Sequence, residues 1–184
     1  PKPVWPEYAF IGRSNVGKSS LINILANNEK LAKTSATPGK TQLINHFSIN
    51  NAWYLVDLPG YGFAKVCLSQ RRQWQQMIEN YLRRRTNLVH VFVLIDSRHA
   101  PQKIDIDFVN QLGEWNVPFS LVFTKADKST QAEVSRNVKA FLNKMKETWQ
   151  FLPPNFVTST IKKTGREEIL NYIDELNAQF RAIA

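Results

Sequence analysis

The chain has 184 residues, 43% hydrophobic and 11% aromatic, a globular composition whose length suits one domain with a sizeable core. Lysine and arginine number 24 against 15 acidic residues, so the net charge is +9 and the pI near 9.8, which points to an acidic partner: nucleic acid first, an anionic membrane second. The single cysteine, Cys67, excludes an internal disulfide framework and a Cys-rich zinc site, no apolar run reaches the ~20 residues of a membrane span, and residues 1–6 lack the apolar core of a signal peptide, so a cytoplasmic location is expected.

The first strand-length apolar run is 8–11. A short helix is expected after Gly17, then a polar loop at 34–41. Runs 43–49 and 53–56 follow, joined by Asn50-Asn51, which reads as a two-residue hairpin and so as an antiparallel pair. Trp74, Met77, Ile78, Tyr81 and Leu82 give 70–85 one apolar helical face. The strand 88–95 precedes a short helix after Pro101. Strand 119–124, helix 131–149, strand 156–158 and helix 167–183 complete the chain.

Alternating strands and helices predict an α/β fold with a mostly parallel, buried sheet. Ligands of such sheets sit beyond the carboxyl ends of the strands. The loops after Ile11, Val56, Ile95, Phe123 and Thr158 should therefore carry the chemistry.

Gly12-Arg13-Ser14-Asn15-Val16-Gly17-Lys18-Ser19 matches G-x-x-x-x-G-K-[ST] between an apolar strand and an apolar helix. Its backbone N–H groups, with those of Ser20 and the helix N-terminus, would cradle phosphates. Lys18 would neutralise the β and γ oxygens, and the Ser19 hydroxyl would ligate Mg²⁺.

Two further segments narrow the nucleotide. Asp57-Leu58-Pro59-Gly60 ends a strand as D-x-x-G. Asp57 would hold Mg²⁺ through water, and the Gly60 N–H would sense a γ-phosphate. Thr124-Lys125-Ala126-Asp127 fits [NT]-K-x-D. The Asp127 carboxylate suits the two donors on one edge of guanine, which adenine lacks, and the Lys125 stem can pack across the base. Backbone N–H groups of Thr158, Ser159 and Thr160 would reach the guanine O6. The loop at 34–41 must supply a threonine to the metal, and Thr37 and Thr41 are both available.

These strings resemble the TRAFAC GTPases and, within them, the EngB family. The strings are Gly12 to Leu21, Pro38-Gly39-Lys40-Thr41-Gln42, Asp57 to Lys65, Asp96-Ser97-Arg98-His99-Ala100-Pro101 and Thr124 to Asp127, of which the last is generic to GTPases and the middle three are close to family-diagnostic. The resemblance runs from Tyr8 to the last helix. It implies a three-layer P-loop GTPase fold: a six-stranded, mostly parallel sheet with one antiparallel edge strand and helices on both faces. It implies a single G domain over 1–184 with part of the N-terminal extension missing. It implies hydrolysis of GTP to GDP as a switch in assembly of the large ribosomal subunit, serving growth and cell division. It selects Thr41 as the metal-coordinating switch residue, beside Gly39 and Lys40. A monomer acting on ribosomal RNA, with no membrane, is the expected setting.

Many GTPases orient water with a glutamine after D-x-x-G, where this chain has Tyr61. Slow intrinsic hydrolysis is expected, raised by a partner or an ion. Asn15 occupies the P-loop position that helps bind K⁺ in some related GTPases, which leaves two readings, K⁺-stimulated hydrolysis or an asparagine that only orders the loop. The catalytic set is then Lys18, Thr41, Gly60 and Asn15. The alternative is a nucleotide-gated RNA-binding module with incidental hydrolysis; a metabolic P-loop kinase is disfavoured by Thr124–Asp127. His46, His90 and His99 read as packing residues.

The positive charge groups at Arg71, Arg72, Arg83, Arg84 and Arg85, at Lys162, Lys163 and Arg166, and at Lys30, Lys33, Lys40 and Lys65. Together these favour contact with RNA phosphate.

Overall fold

A computed structural model describes residues 5–27, 44–62 and 67–183. Six strands are observed: β1 (Glu7–Gly12), β2 (Asn45–Ile49), β3 (Trp53–Asp57), β4 (Leu88–Asp96), β5 (Phe119–Thr124) and β6 (Asn155–Val157). The helices are α1 (Lys18–Leu25), α2 (Leu68–Arg84), α3 (Lys103–Glu114), α4 (Gln131–Lys146) and α5 (Arg166–Ile183). The sheet order is β2-β3-β1-β4-β5-β6. Every pairing is parallel except β2 with β3. This is the expected architecture, with its antiparallel strand at the edge.

Alternation along each strand builds two cores. In β1, Tyr8 and Phe10 face α1 and α5, where they join Leu21, Ile22, Ile169 and Ile173. Ala9 and Ile11 face the other way, among Ile78, Val109 and Phe141 of α2, α3 and α4. With both faces covered, β4 and β5 are apolar throughout much of their length.

The hairpin departs from the two-residue reading. Asn50 and Asn51 are both left-handed, at φ 52° and 50°, and the Ala52 N–H closes the turn on the Ile49 carbonyl at 3.0 Å. The ladder, however, pairs Ile49 with Trp53, so Ala52 is an extra loop residue. Helix α4 ends at Lys146, three residues before Trp149, whose indole instead crosses to α3 and donates to Asn110 Oδ1 at 2.7 Å. A capping box of Thr130 and Glu133 starts that helix. Thr37, Gly39, Lys40, Thr41, Leu43, Lys30, Lys33 and the stretch 63–66 lie outside the described residues.

Candidate nucleotide site

All four motif loops emerge at the carboxyl edge of the sheet, and hydrogen bonds join them. The P-loop follows β1 and turns into α1 at Gly17, which is left-handed at φ 99°. Gly12 is required by space: a Cβ there would lie 2.8 Å from Val16 Cγ1 and 3.0 Å from the Leu94 carbonyl oxygen.

Lys18 joins the first motif to the second. Its Nζ lies 2.9 Å from Asp57 Oδ1 and also donates to the Leu58 carbonyl. Asp57 is 4% exposed, and its Oδ1 has this ion contact but no aligned hydrogen bond. A buried carboxylate oxygen with spare acceptor capacity is the donor chemistry a hard divalent cation takes. The Tyr61 N–H donates to the Gly12 carbonyl at 3.3 Å and sets the loop after Gly60 beside the P-loop.

Thr124 and Lys125 join the third motif to the first. The buried Thr124 hydroxyl donates to the Val16 carbonyl at 2.6 Å. Lys125, left-handed at φ 60°, donates from Nζ to the Asn15 carbonyl at 2.7 Å, which stretches its stem across the site. Asp127 receives the Ser159 hydroxyl at 2.7 Å; that bond holds its carboxyl below the usual range and leaves acceptor capacity for a ligand.

The expected O6 contacts need one correction. The Thr158 N–H is spent on the Phe123 carbonyl at 2.8 Å and the Ser159 N–H on the Thr164 carbonyl at 3.2 Å. Only the Thr160 N–H makes no hydrogen bond among the described residues. The β6–α5 loop closes on itself, and its backbone is unavailable before Thr160.

Tyr61 turns away from the phosphate side. Its ring stacks on Phe108 at 4.3 Å, and its hydroxyl donates to Asp105 Oδ1 at 2.7 Å. Burial, with the facing Asp105 charge, pushes the Tyr61 hydroxyl well above its ordinary range. Arg13 likewise turns to α3 and donates to Gln102.

Sequence reasoning assigned no role to Asp96, which ends β4 beside these loops. Arg98 grips it at 2.8 Å and Lys125 lies 3.6 Å away. Burial alone would raise its carboxyl, but the Arg98 and Lys125 contacts outweigh that and hold it low. Its signal was its place at the carboxyl end of a strand. A cleft of about 360 Å³ opens here, lined by Arg13, Asn15, Asp96, Arg98 and Lys125 among others, with His99 exposed at its edge rather than packed in.

Two cations read as surface charge are partly internal. Arg85 is clamped on the buried Glu7 at 2.7 Å. Arg166 donates to the Ile24 carbonyl at 2.6 Å and pairs with Glu167. Arg72, Arg83, Arg84, Lys162 and Lys163 remain at the surface. His46 and His90 are structural as expected; His90 bonds Ser120 at 2.7 Å, and burial pushes its pKa down to about 4.

A family model described as "50S ribosome-binding GTPase" matches residues 7–125. The sequence is 59% identical to a probable GTP-binding protein EngB of Phocaeicola vulgatus over 182 residues, 99% of this chain and 91% of the relative. The chain belongs to the EngB family of GTP-binding proteins. An EngB of Porphyromonas gingivalis is 58% identical over 174 residues, 95% of this chain and 87% of the relative. The fold agrees: a crystal structure of a probable EngB superposes with a TM-score of 0.74 at 23% identity, covering 94% of this chain and 99% of that one. Era, crystallised with MgGDPNP and nucleotides 1506–1542 of 16S ribosomal RNA, superposes with a TM-score of 0.71 at 22% identity, covering 91% of this chain and 55% of its own. As an EngB member, this chain is a P-loop GTPase. Among its described residues no helix is long and apolar enough to cross a membrane.

Proposed function

We propose that this chain is a GTP-hydrolysing switch that engages the large ribosomal subunit precursor through ribosomal RNA, and so serves growth and cell division. It works as a monomeric single G domain in the cytoplasm. The observation that carries the reading is the convergence of Lys18, Asp57, Lys125 and Asp127 on one edge of the sheet. Gly12 to Ser20 would cradle the phosphates, and Gly39 and Lys40, outside the described residues, are assigned to the nucleotide by the family resemblance. Asp127 would accept from the guanine donors, and the Thr160 N–H is the backbone donor of that loop left for its O6. Ser19, Thr41 and water on Asp57 would hold Mg²⁺, which when bound neutralises charge on the phosphate oxygens. Lys18 leaves Asp57 and Leu58 to reach the β and γ oxygens, and the Gly60 N–H reports the γ-phosphate.

Ribosomal RNA is supported by the family description, by the net charge of +9, and by the outer face of α2. That face exposes Arg72, Gln73, Gln76, Asn80, Arg83 and Arg84, with Glu79 as its one acid. Arginine and amide side chains suit phosphate and base edges. One observation favours the second reading, an RNA-binding module with incidental hydrolysis: Tyr61, in the water-positioning place, is committed to α3. GTP turnover with and without large-subunit precursor particles separates the two. A rise of about tenfold or more with particles supports the switch; unchanged turnover with tight, GTP-dependent binding supports the module.

A further inference from the structure

At the end of β1 away from the nucleotide site, Glu7 is wholly buried and its two carboxylate oxygens take six contacts. Oε1 accepts from Tyr81 at 2.6 Å and Arg85 Nε at 3.2 Å, with His46 Nε2 at 3.2 Å. Oε2 accepts from Arg85 at 3.0 and 2.7 Å and from Asn87 at 2.8 Å. The four lone-pair sites of a carboxylate are thereby filled.

The origin of those partners matters. Tyr81 and Arg85 belong to the end of α2, which follows the D-x-x-G loop. His46 belongs to β2, which leads out of the P-G-K-T segment and pairs with β3, the strand that ends in Asp57. Asn87 leads into β4 and also holds the Trp5 carbonyl at 2.6 Å. The two elements that adjoin the nucleotide-sensing segments therefore meet on one side chain of the central strand. The His46 ring is wedged edge-on between Tyr54 of β3 and Tyr81 of α2, with centroids 5.8 and 6.2 Å away. The arms are unequal. Arg85 is bidentate and Tyr81 short, whereas His46 has one longer contact.

We infer that Glu7 is a positioning residue that couples the β2–β3 hairpin to α2, so that the two respond to the bound nucleotide as one unit. Movement at the nucleotide end of α2 is a tilt about this knot at its other end, whereas in β2 the knot grips the strand near its nucleotide end, where His46 pairs with Val56 beside Asp57. Tyr81 and Arg85 keep α2 seated, and His46 makes the hairpin follow. A directional polar cluster around a carboxylate whose acceptor sites are all filled holds one arrangement where an apolar contact would tolerate sliding. The inference rests on the guanine-nucleotide reading of the site.

The test uses Glu7→Gln, which removes the charge of the Glu7–Arg85 ion pair, and His46→Leu, which removes only the hairpin's arm at similar volume and leaves α2 anchored. Affinities for a fluorescent non-hydrolysable GTP analogue and for fluorescent GDP are measured together with hydrogen exchange in 45–49 and 68–84. Both variants should change the triphosphate-to-diphosphate affinity ratio by about fivefold or more. In His46→Leu the exchange of α2 should still respond to the nucleotide while that of the hairpin no longer does. A ratio within about twofold of the parent and an unaltered exchange response, with only a lowered melting temperature, reduce Glu7 to a stability element and overturn the inference. If Glu7→Gln does not fold, His46→Leu decides alone. If the parent binds neither guanine nucleotide, the reading of the site fails and the coupling fails with it.

Discussion

The Tyr61 hydroxyl donates to Asp105 Oδ1 at 2.7 Å, and this bond turns the residue after Gly60 toward α3 and away from the P-loop. A tyrosine held there offers no group to orient an attacking water. Tyr61→Phe should therefore leave single-turnover GTP hydrolysis within about threefold of the parent. It should still lower stability, because the Asp105 oxygen loses its donor while buried; a cost of about 1–3 kcal/mol is expected in denaturant melts. A drop in hydrolysis of more than tenfold with unchanged GTP affinity would put the Tyr61 hydroxyl at the reaction after all.

Glu7 and Arg85 make a pH dependence that can be read in acid. Burial alone would raise the Glu7 carboxyl, but the hydrogen bonds from Arg85, Tyr81 and Asn87 outweigh it and hold the folded value below the ordinary 4.5. The unfolded chain thus takes up the proton first as pH falls. The stabilisation is complete above about pH 4.5 and is lost as pH drops through the folded value. Glu7→Gln should be about 3–5 kcal/mol less stable than the parent at pH 7. The gap should narrow steadily below pH 4.5, as followed by chemical denaturation across pH. A constant gap over that range would mean that the carboxylate charge contributes nothing.

The three consecutive arginines at the end of α2 separate into different roles. Arg85 is one-quarter exposed at its side chain and locked on Glu7. Arg83 pairs with Glu79 at 3.0 Å and lies 5.7 Å over the Trp115 ring, while Arg84 is exposed. Arg84→Glu should keep the parent melting temperature and weaken binding to large-subunit RNA, with a shallower salt dependence. Arg85→Glu should instead unfold the protein at lower denaturant, since it sets two carboxylates against each other. Equal RNA binding by the Arg84→Glu and parent proteins in a salt titration would remove α2 from the interface.

The contrast shows what a sequence discloses. The loop motifs were legible because each is a local string with a backbone demand: Gly12 where a Cβ finds no room, Gly17 where the backbone is left-handed, Pro59 and Gly60 just after β3, Thr124 to Asp127 ending β5. Tyr8 to Ile11 read as a buried strand because all four residues are apolar. Glu7 was not legible, because an acid at a strand start reads as solvent-facing. Its partners stand 39 to 80 positions away in sequence, and only the β2-β3-β1 order and the seat of α2 bring them together. The same distance concealed the true place of Arg85. The direction of the Tyr61 side chain was hidden likewise, since Asp105 and Phe108 face it only once α3 is packed.

Asp127 and Ser159 are hydrogen-bonded to each other where the guanine base is proposed to bind. The Ser159 hydroxyl occupies one direction on Asp127 Oδ1 and fixes the carboxylate at 2.7 Å. Asp127→Ala removes both acceptors for guanine and should lower GTP affinity by about two orders of magnitude or more without creating ATP binding. Ser159→Ala should have a smaller effect in the same direction, because only the orientation of Asp127 is loosened. Competition titrations with GTP, ATP and GDP measure both. An unchanged preference for guanine in Asp127→Ala would place base recognition elsewhere.

Asn15 supplies the test of ion dependence. It is left-handed at φ 62°, its carbonyl is taken by Lys125, and its side chain is exposed beside the P-loop. The residue type therefore has two separable uses, since asparagine tolerates this backbone region and its amide oxygen can coordinate a monovalent cation. Asn15→Gly keeps the backbone freedom and removes the amide. Turnover of the parent should be higher in KCl than in NaCl at matched ionic strength, and Asn15→Gly should lose that difference while retaining GTP binding. Equal rates in the two salts for the parent would leave Asn15 with the backbone role alone, shaping the loop that Lys125 grips.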